Sequence, residues 1–167
     1  MKAYKFLTAD GLGVFSRFAW PLPGGGPGAW IESEVGLCRA GIHACRPIDL
    51  PYWIAPVLYE VELDGPVDEQ PLKVVAPRGR LIRRIDAWNA AAQEAYGRMC
   101  FARTDELVAA APERLGGWAP PPEIPLTASA QLGFMTARIA EQLGGTDAHV
   151  EERKRQSAWL VERLELA

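Results

Sequence analysis

The chain has 167 residues, of which 49% are hydrophobic and 23% are charged, and this balance is typical of a water-soluble globular protein. The formal net charge of -3 argues against general affinity for nucleic acid, which needs a basic surface. No apolar run approaches the roughly 18 residues of a membrane span, and the N-terminus lacks the apolar core of a signal peptide. The sequence therefore predicts one domain, residues 1–167, in the cytoplasm, with neither a membrane nor nucleic acid as partner.

The first residues of the chain have the alternation of a β-strand. Within residues 2–8, Ala3, Lys5 and Leu7 share one face, which favours a strand with one buried face. An Asp-Gly pair follows, and this dipeptide is favoured in hairpin turns because both central positions of a type I′ turn need positive φ. Residues 13–20 are therefore predicted to be the returning strand.

Further strands are predicted over residues 42–45, 57–63, 72–76 and 80–85. Alternation is clearest over 57–63, where apolar and charged side chains take turns. A turn over 77–79 is expected to separate the last two strands.

The pattern becomes helical after residue 85. Asp86 is predicted to cap a helix that runs to about residue 102, and Asp105 is predicted to open a second one. Two more helices are expected over residues 128–143 and 146–164, separated by a pair of glycines. The predicted fold class is therefore α+β: an N-terminal antiparallel β-sheet (1–85 mainly β) is followed by about four C-terminal helices (86–167 mainly α).

Cysteine and histidine side chains raise the question of a metal. Cys38, His43, Cys45 and Cys100 are the ligand types of a tetrahedral zinc site. Neither Cys38 nor Cys100 belongs to a paired Cys-x-x-Cys, so the favoured interpretation is cysteines that pack as small hydrophobic side chains. The sequence also lacks a P-loop, a dinucleotide-binding glycine pattern and a GxSxG elbow. We therefore predict neither a metal nor a cofactor.

His43 is the first candidate catalytic residue, because it lies between small residues and titrates close to neutral pH. The aromatic residues Tyr52, Trp53 and Tyr59 follow closely, and aromatic side chains with a polar tip line many small-molecule pockets. The alternative is that His43 is a core histidine and that the aromatic residues form core. The sequence leaves both interpretations open.

Two charged groups complete the candidate site. Glu60 and Glu62 share one face of a predicted strand, where they act as acid and base if the face lines a cleft, or as solvated charges if it does not. Arg78 and Arg80 flank a glycine and have the geometry to bind a phosphate or carboxylate. Their alternative role is pairing with nearby acidic residues.

Two resemblances follow from these residues. The segment Gly41-Ile42-His43-Ala44-Cys45 resembles the G-[ILF]-H-A-C core of a poorly characterised group of short bacterial and phage proteins, which implies a family and no activity. The stretch GIHACRPIDLPYWI, followed by VLYEVELDG, is similar to the ADP-ribosyltransferase pattern of G-[IL]-Y-F-A before a tyrosine-bearing helix and an apolar strand. That likeness implies that Tyr52 stacks on nicotinamide and that Gly65 ends the strand. The first strand lacks the histidine of that family, so the likeness bears on fold and not on NAD chemistry.

Taken together, the sequence predicts a small-molecule-binding protein with a pocket around His43, Tyr52 and Trp53. An arginine-rich composition suggests a bacterial source, and an aromatic pocket with one proton-transfer residue suits an enzyme of a specialised pathway, of transferase or cyclisation type. The alternatives are a non-enzymatic interaction or regulatory protein and a degenerate ADP-ribosyltransferase-like domain.

Overall fold

The predicted fold class is confirmed, since antiparallel strands occupy the N-terminal half of the chain and helices the C-terminal half. The structure, a computed structural model, describes residues 1–34, 41–115 and 124–166. It divides into two compact units, Met1–Ala87 and Trp88–Ala167. The prediction of a single domain stays a prediction.

Seven strands and one short helix make up the described part of the N-terminal unit. The strands are β1 (Lys2–Leu7), β2 (Ile31–Glu32), β3 (Ile42–Ala44), β4 (Val57–Asp64), β5 (Asp68–Gln70), β6 (Lys73–Ala76) and β7 (Arg78–Arg84). A 3₁₀-helix, Pro47–Tyr52, links β3 to β4.

The strands form two antiparallel sheets, with the orders β1-β4-β7-β2 and β3-β6-β5. Pro77 alone separates β6 from β7, although these strands belong to different sheets. The predicted turn over 77–79 is therefore wrong: Gly79 lies inside β7, opposite Leu63. Proline has no N–H to donate to a ladder, which suits the residue at which the chain leaves one sheet for the other.

Both sheets contribute to one hydrophobic core. Its buried members include Ala3, Leu7, Ala44, Tyr59, Val61, Val74, Ala76 and Leu81. The backbones of Tyr4 and Cys45 exchange two hydrogen bonds, of 2.9 and 2.8 Å, and so join β1 to the residue that follows β3. The middle of β1 and the end of β3 are thereby held side by side.

The predicted strand over residues 13–20 is wrong. The chain does turn after β1, because Gly11 has a φ of 78° and Thr8 accepts its N–H. However, Gly13 and Phe18 then close a tight loop with a 2.9 Å hydrogen bond. In this segment the structure has isolated bridges, Leu7 with Gly13 and Leu12 with Ala19, and no strand. The neighbour of β1 in its sheet is instead β4, with Lys5 opposite Tyr59.

The C-terminal unit contains α1 (Ala90–Ala110), α2 (Pro112–Leu115) and α3 (Ser129–Arg163). Asn89 caps α1 by accepting the Ala92 N–H at 3.1 Å, so the predicted cap at Asp86 is wrong. Asp105 lies inside α1 and opens no second helix. In α3, Gly145 has φ 75° and ψ -167°, which divides the helix at the predicted pair of glycines.

A polar network lies between α1 and α3. The Tyr96 hydroxyl donates to Gln156 Oε1 at 3.0 Å, and Gln156 Nε2 donates to the Gly133 carbonyl at 3.0 Å. Thr104 and Thr136 hydroxyls lie 3.0 Å apart. All of these side chains are buried, so their hydrogen bonds fix how the two helices pack.

Candidate functional site

A cavity of about 380 Å³ opens in the N-terminal unit and is called the Lys5 cavity below. Its walls come from the middle of β1, the segment Gly41–Cys45 that contains β3, and the loop between Gly13 and Trp20. Most of the wall is aromatic or aliphatic, and its large apolar members are Phe15, Phe18, Trp20, Ile31, Ile42 and Trp53.

Lys5 places an amine in this apolar wall. Its Nζ donates to the backbone carbonyl of His43 at 2.6 Å and lies 4.9 Å from the centre of the Trp20 ring. Burial lowers the pKa of Lys5 from 10.5 to about 8, because the charged form loses hydration. The nearby Cys45 acts weakly in the opposite direction. At pH ~7 about a tenth of the amine is therefore uncharged.

Lys5 was not among the candidates that the sequence suggested. The alternation of β1 places Lys5 between Ala3 and Leu7, and both of these are fully buried. A charged residue in the middle of an apolar strand face is uncommon, because burying an ammonium group is costly. That exception in the pattern was the available indication that Lys5 has unusual surroundings.

His43 lines the same cavity, from the centre of β3. It is half-buried, between the buried residues Ile42 and Ala44. Its backbone pairs with Val75 of β6, and its carbonyl accepts the Lys5 amine. The cavity wall therefore includes Lys5 and His43, two residue types that can each transfer a proton.

Cys45 is buried at 2% exposure, and its Sγ donates to the Tyr4 carbonyl at 3.1 Å. Burial raises the pKa of this thiol to about 12, so it stays protonated at neutral pH. Regular β3 structure ends at Ala44, which is why Cys45 is buried while His43 is only half-buried. The Cys45 thiol is a packing group and not a nucleophile.

Aromatic side chains lie around the cavity in two edge-on pairs. Phe15 contacts Trp53 with 6.0 Å between ring centres, and Phe18 contacts Trp20 at the same distance. Trp53 is anchored, since its indole Nε1 donates to the Leu72 carbonyl at 2.5 Å. Phe15 is 82% exposed although it lines the cavity, so the wall ends in an apolar rim that faces solvent.

The predicted site residues separate into two groups. His43 and Trp53 lie together on the cavity wall. Tyr52 and Tyr59 are not among the described residues that form this wall. Tyr59 is a buried core residue of β4, and Tyr52 ends the 3₁₀-helix.

The two glutamates lie in ion pairs with arginines of β7. Glu60 Oε2 is 3.0 Å from Arg83 and 3.6 Å from Lys2, and Glu62 Oε2 is 2.7 Å from Arg80. β4 and β7 are neighbours in the sheet, so these are cross-strand pairs of opposite charge, which stabilise a sheet. Neither glutamate is among the described residues of the cavity wall. Their role as acid and base therefore stays a prediction.

Arg78 and Arg80 are engaged in the same way. Arg78 pairs with Asp64 at 3.1 Å and with Glu32 at 3.3 Å. Both guanidinium groups also lie over the Trp30 ring, at 4.4 and 4.5 Å from its centre. These two cation–π contacts on one indole ring help to hold the arginine side chains in place.

Cys45 and Cys100 belong to no group of metal ligands among the described residues. Over residues 1–34, 41–115 and 124–166, no group of three or more His, Cys, Asp or Glu side chains has the geometry to hold a metal ion. Cys45 and Cys100 are both buried with free thiols. Cys38 lies outside the described residues.

Comparisons with protein-family models, with curated proteins and with solved structures find no match for this chain. Among the described residues, no helix is both long enough and apolar enough to cross a membrane. Any conclusion about function therefore depends on the chemistry of the Lys5 cavity.

Proposed function

We propose that this chain is a small-molecule-binding protein whose ligand occupies the Lys5 cavity. The observation that carries the proposal is a cavity of about 380 Å³ with an aromatic wall and two polar groups, Lys5 and His43. Cavities that bind small molecules have volumes of roughly 300–1,000 Å³ and combine mostly apolar walls with a few polar groups.

The wall favours a ligand with a flat, apolar body. Phe15 and Phe18 are exposed, and a ring placed between them and Trp53 would cover apolar surface that faces water. Such burial is favourable by about 25 cal/mol per Å². Edge-to-face contacts with the aromatic pairs would add to this attraction.

The wider proposal is an enzyme of transferase or cyclisation type in a specialised bacterial pathway of the cytoplasm. It is supported by the presence of Lys5 and His43 on one wall, because both side chains can move protons near neutral pH. The wall holds the substrate against these groups while the aromatic side chains exclude water.

Isothermal titration calorimetry with a panel of small aromatic compounds (benzyl alcohol, benzoate and indole) tests the binding proposal. Val14 lines the cavity and is 38% exposed, so Val14→Trp is expected to fill the opening. The matched control is Ile48→Trp, at a residue of the 3₁₀-helix that is 44% exposed and is not part of the described wall.

We expect saturable binding of at least one compound to the parent chain and to Ile48→Trp. Val14→Trp should weaken this binding at least about tenfold, equivalent to about 1.4 kcal/mol. Equal affinities for all three chains would place the ligand elsewhere and refute the proposal.

A further inference from the structure

The Lys5 amine lies in surroundings that differ from those of an ordinary surface lysine. Within the described residues no carboxylate pairs with it, and it contacts a carbonyl oxygen and an indole ring. Glu32 is the acidic residue of the described wall, and it pairs with Arg78 at 3.3 Å. An amine held in this way is available to a ligand.

We infer that Lys5 is a covalent binding residue that forms a Schiff base with the carbonyl carbon of a small aromatic aldehyde or ketone in the Lys5 cavity. This inference rests on the proposed function, because the ligand must first occupy the cavity. It adds the chemical class of the ligand and the atom that it bonds.

The chemistry needs no other reactant. The lone pair of the neutral Nζ attacks the carbonyl carbon, a C–N bond forms, and the carbonyl oxygen takes up a proton to give a carbinolamine. The nitrogen then forms a double bond to carbon while the hydroxyl leaves as water with a second proton. The two protons come from the original NH₂ group, so one imine and one water replace one amine and one carbonyl.

The surroundings support each step. Burial lowers the pKa of Lys5 to about 8, so at pH ~7.4 roughly a fifth of the amine is neutral, about 250-fold more than for a lysine at the ordinary value. The apolar wall stabilises the neutral nucleophile relative to the ammonium form, which is a recognised way of activating lysine. His43 lies on the same wall, its carbonyl accepts the Lys5 amine at 2.6 Å, and it is the candidate to carry protons to and from the leaving hydroxyl.

An alternative role for Lys5 is to bind an organic anion by charge alone. Lys73 also lines the cavity and supplies a second ammonium group for such an ion. The depressed pKa of Lys5 favours the covalent role, since a purely electrostatic site gains from a lysine that stays charged. The experiment below separates the two roles.

The test uses benzaldehyde as the probe and sodium cyanoborohydride to reduce any imine to a stable secondary amine. Peptide mass spectrometry of the unaltered chain then locates each benzyl group among Lys2, Lys5, Lys73 and Lys154. Lys5→Arg keeps the positive charge but cannot form the imine, and Lys5→Met removes the charge. Lys73→Arg is the matched control on the same wall. Calorimetry with benzyl alcohol, which has the ring but no carbonyl, measures occupancy of the cavity independently.

We expect Lys5 to be labelled at least about tenfold faster than the other lysines, in the parent chain and in Lys73→Arg. Labelling should rise as the pH increases towards about 8 and then level off, as the Lys5 amine loses its proton. The other titratable groups on the described wall are Tyr4, Glu32, His43, Cys45 and Lys73.

Similar labelling of all the lysines would overturn the inference. Saturable binding of benzyl alcohol without a benzyl group on Lys5 would also overturn it, while leaving the proposed function in place. If benzoate bound to the parent chain and to Lys5→Arg but not to Lys5→Met, and no benzyl group appeared on Lys5, an electrostatic role would replace the covalent one. Failure of both compounds to bind would refute the inference together with the proposed function for aromatic ligands.

Discussion

Replacing Lys5 by methionine is expected to stabilise the fold at neutral pH. The lowering of the Lys5 pKa from 10.5 to about 8 corresponds to about 3 kcal/mol of free energy that opposes folding while the amine is protonated. Methionine keeps a long unbranched side chain but loses the hydrogen bond to the His43 carbonyl, which costs about 1 kcal/mol. The expected net gain near pH ~7 is therefore about 2 kcal/mol.

The gain depends on pH in a defined direction. Below the folded pKa of about 8, the amine is protonated in both the folded and the unfolded chain, so the full penalty applies. Between that value and 10.5 the unfolded chain binds more protons than the folded chain, and the stability of the parent rises with pH. By pH ~10 about 1 kcal/mol of the penalty remains, so Lys5→Met and the parent should then be about equally stable.

Urea denaturation of both chains near pH ~7 and pH ~10 measures this difference. Lys2→Met is the matched control, because Lys2 lies on the same strand, carries the same charge and has a side chain that is 42% exposed. Its effect should stay within about 0.5 kcal/mol at both pH values. A loss of stability in Lys5→Met near neutral pH, or a gain that does not change with pH, would show that the Lys5 ammonium is not desolvated.

Three further predictions concern packing. A Cβ at Gly79 would lie 2.7 Å from Ile42 Cγ2, so Gly79→Ala should lower the free energy of unfolding by about 1–3 kcal/mol. If urea denaturation showed a loss below about 0.5 kcal/mol, that result would contradict the close approach of β7 to β3. Gln156→Leu leaves the buried Tyr96 hydroxyl without its acceptor, so the free energy of unfolding should fall by at least about 2 kcal/mol in thermal and urea denaturation. An unchanged midpoint would mean that the network adds nothing to the stability of the fold. Burial raises the pKa of the Cys45 thiol to about 12, so Cys45 should resist iodoacetamide in the folded chain and react only after unfolding. Peptide mapping measures this, and rapid modification under native conditions would argue against burial.

The elements that could be predicted are those with a strong local pattern. Alternation placed β1 and β4 within one residue of their observed ends, and the paired glycines marked the break at Gly145 in α3. Side-chain period and turn chemistry are properties of neighbouring residues, so they can be read without knowing the fold. Asp105 misled because aspartate is a good cap, although no proline or glycine interrupts α1 around it.

The errors arose where a distant partner decided the structure. Residues 13–20 have strand-like composition, but β1 pairs with β4, which lies some fifty residues further along the chain. Gly79 was predicted in a turn, yet β7 runs through it because Leu63 and Ile31 pair with it on either side. Hydrogen-bonded pairing between strands is not encoded in the period of either strand.

The candidate site divides along the same line. Composition and motif singled out His43 and Trp53, and both lie on the cavity wall. Glu60 and Glu62 were equally prominent in the sequence, but β7 supplies arginines opposite them and the carboxylates form ion pairs there. The sequence determined that Lys5 shares a strand face with Ala3 and Leu7. Only the tertiary structure, which joins β1 to Cys45, brought Lys5 to the wall of a cavity, because the cost of desolvating an amine depends on what the rest of the chain packs around it.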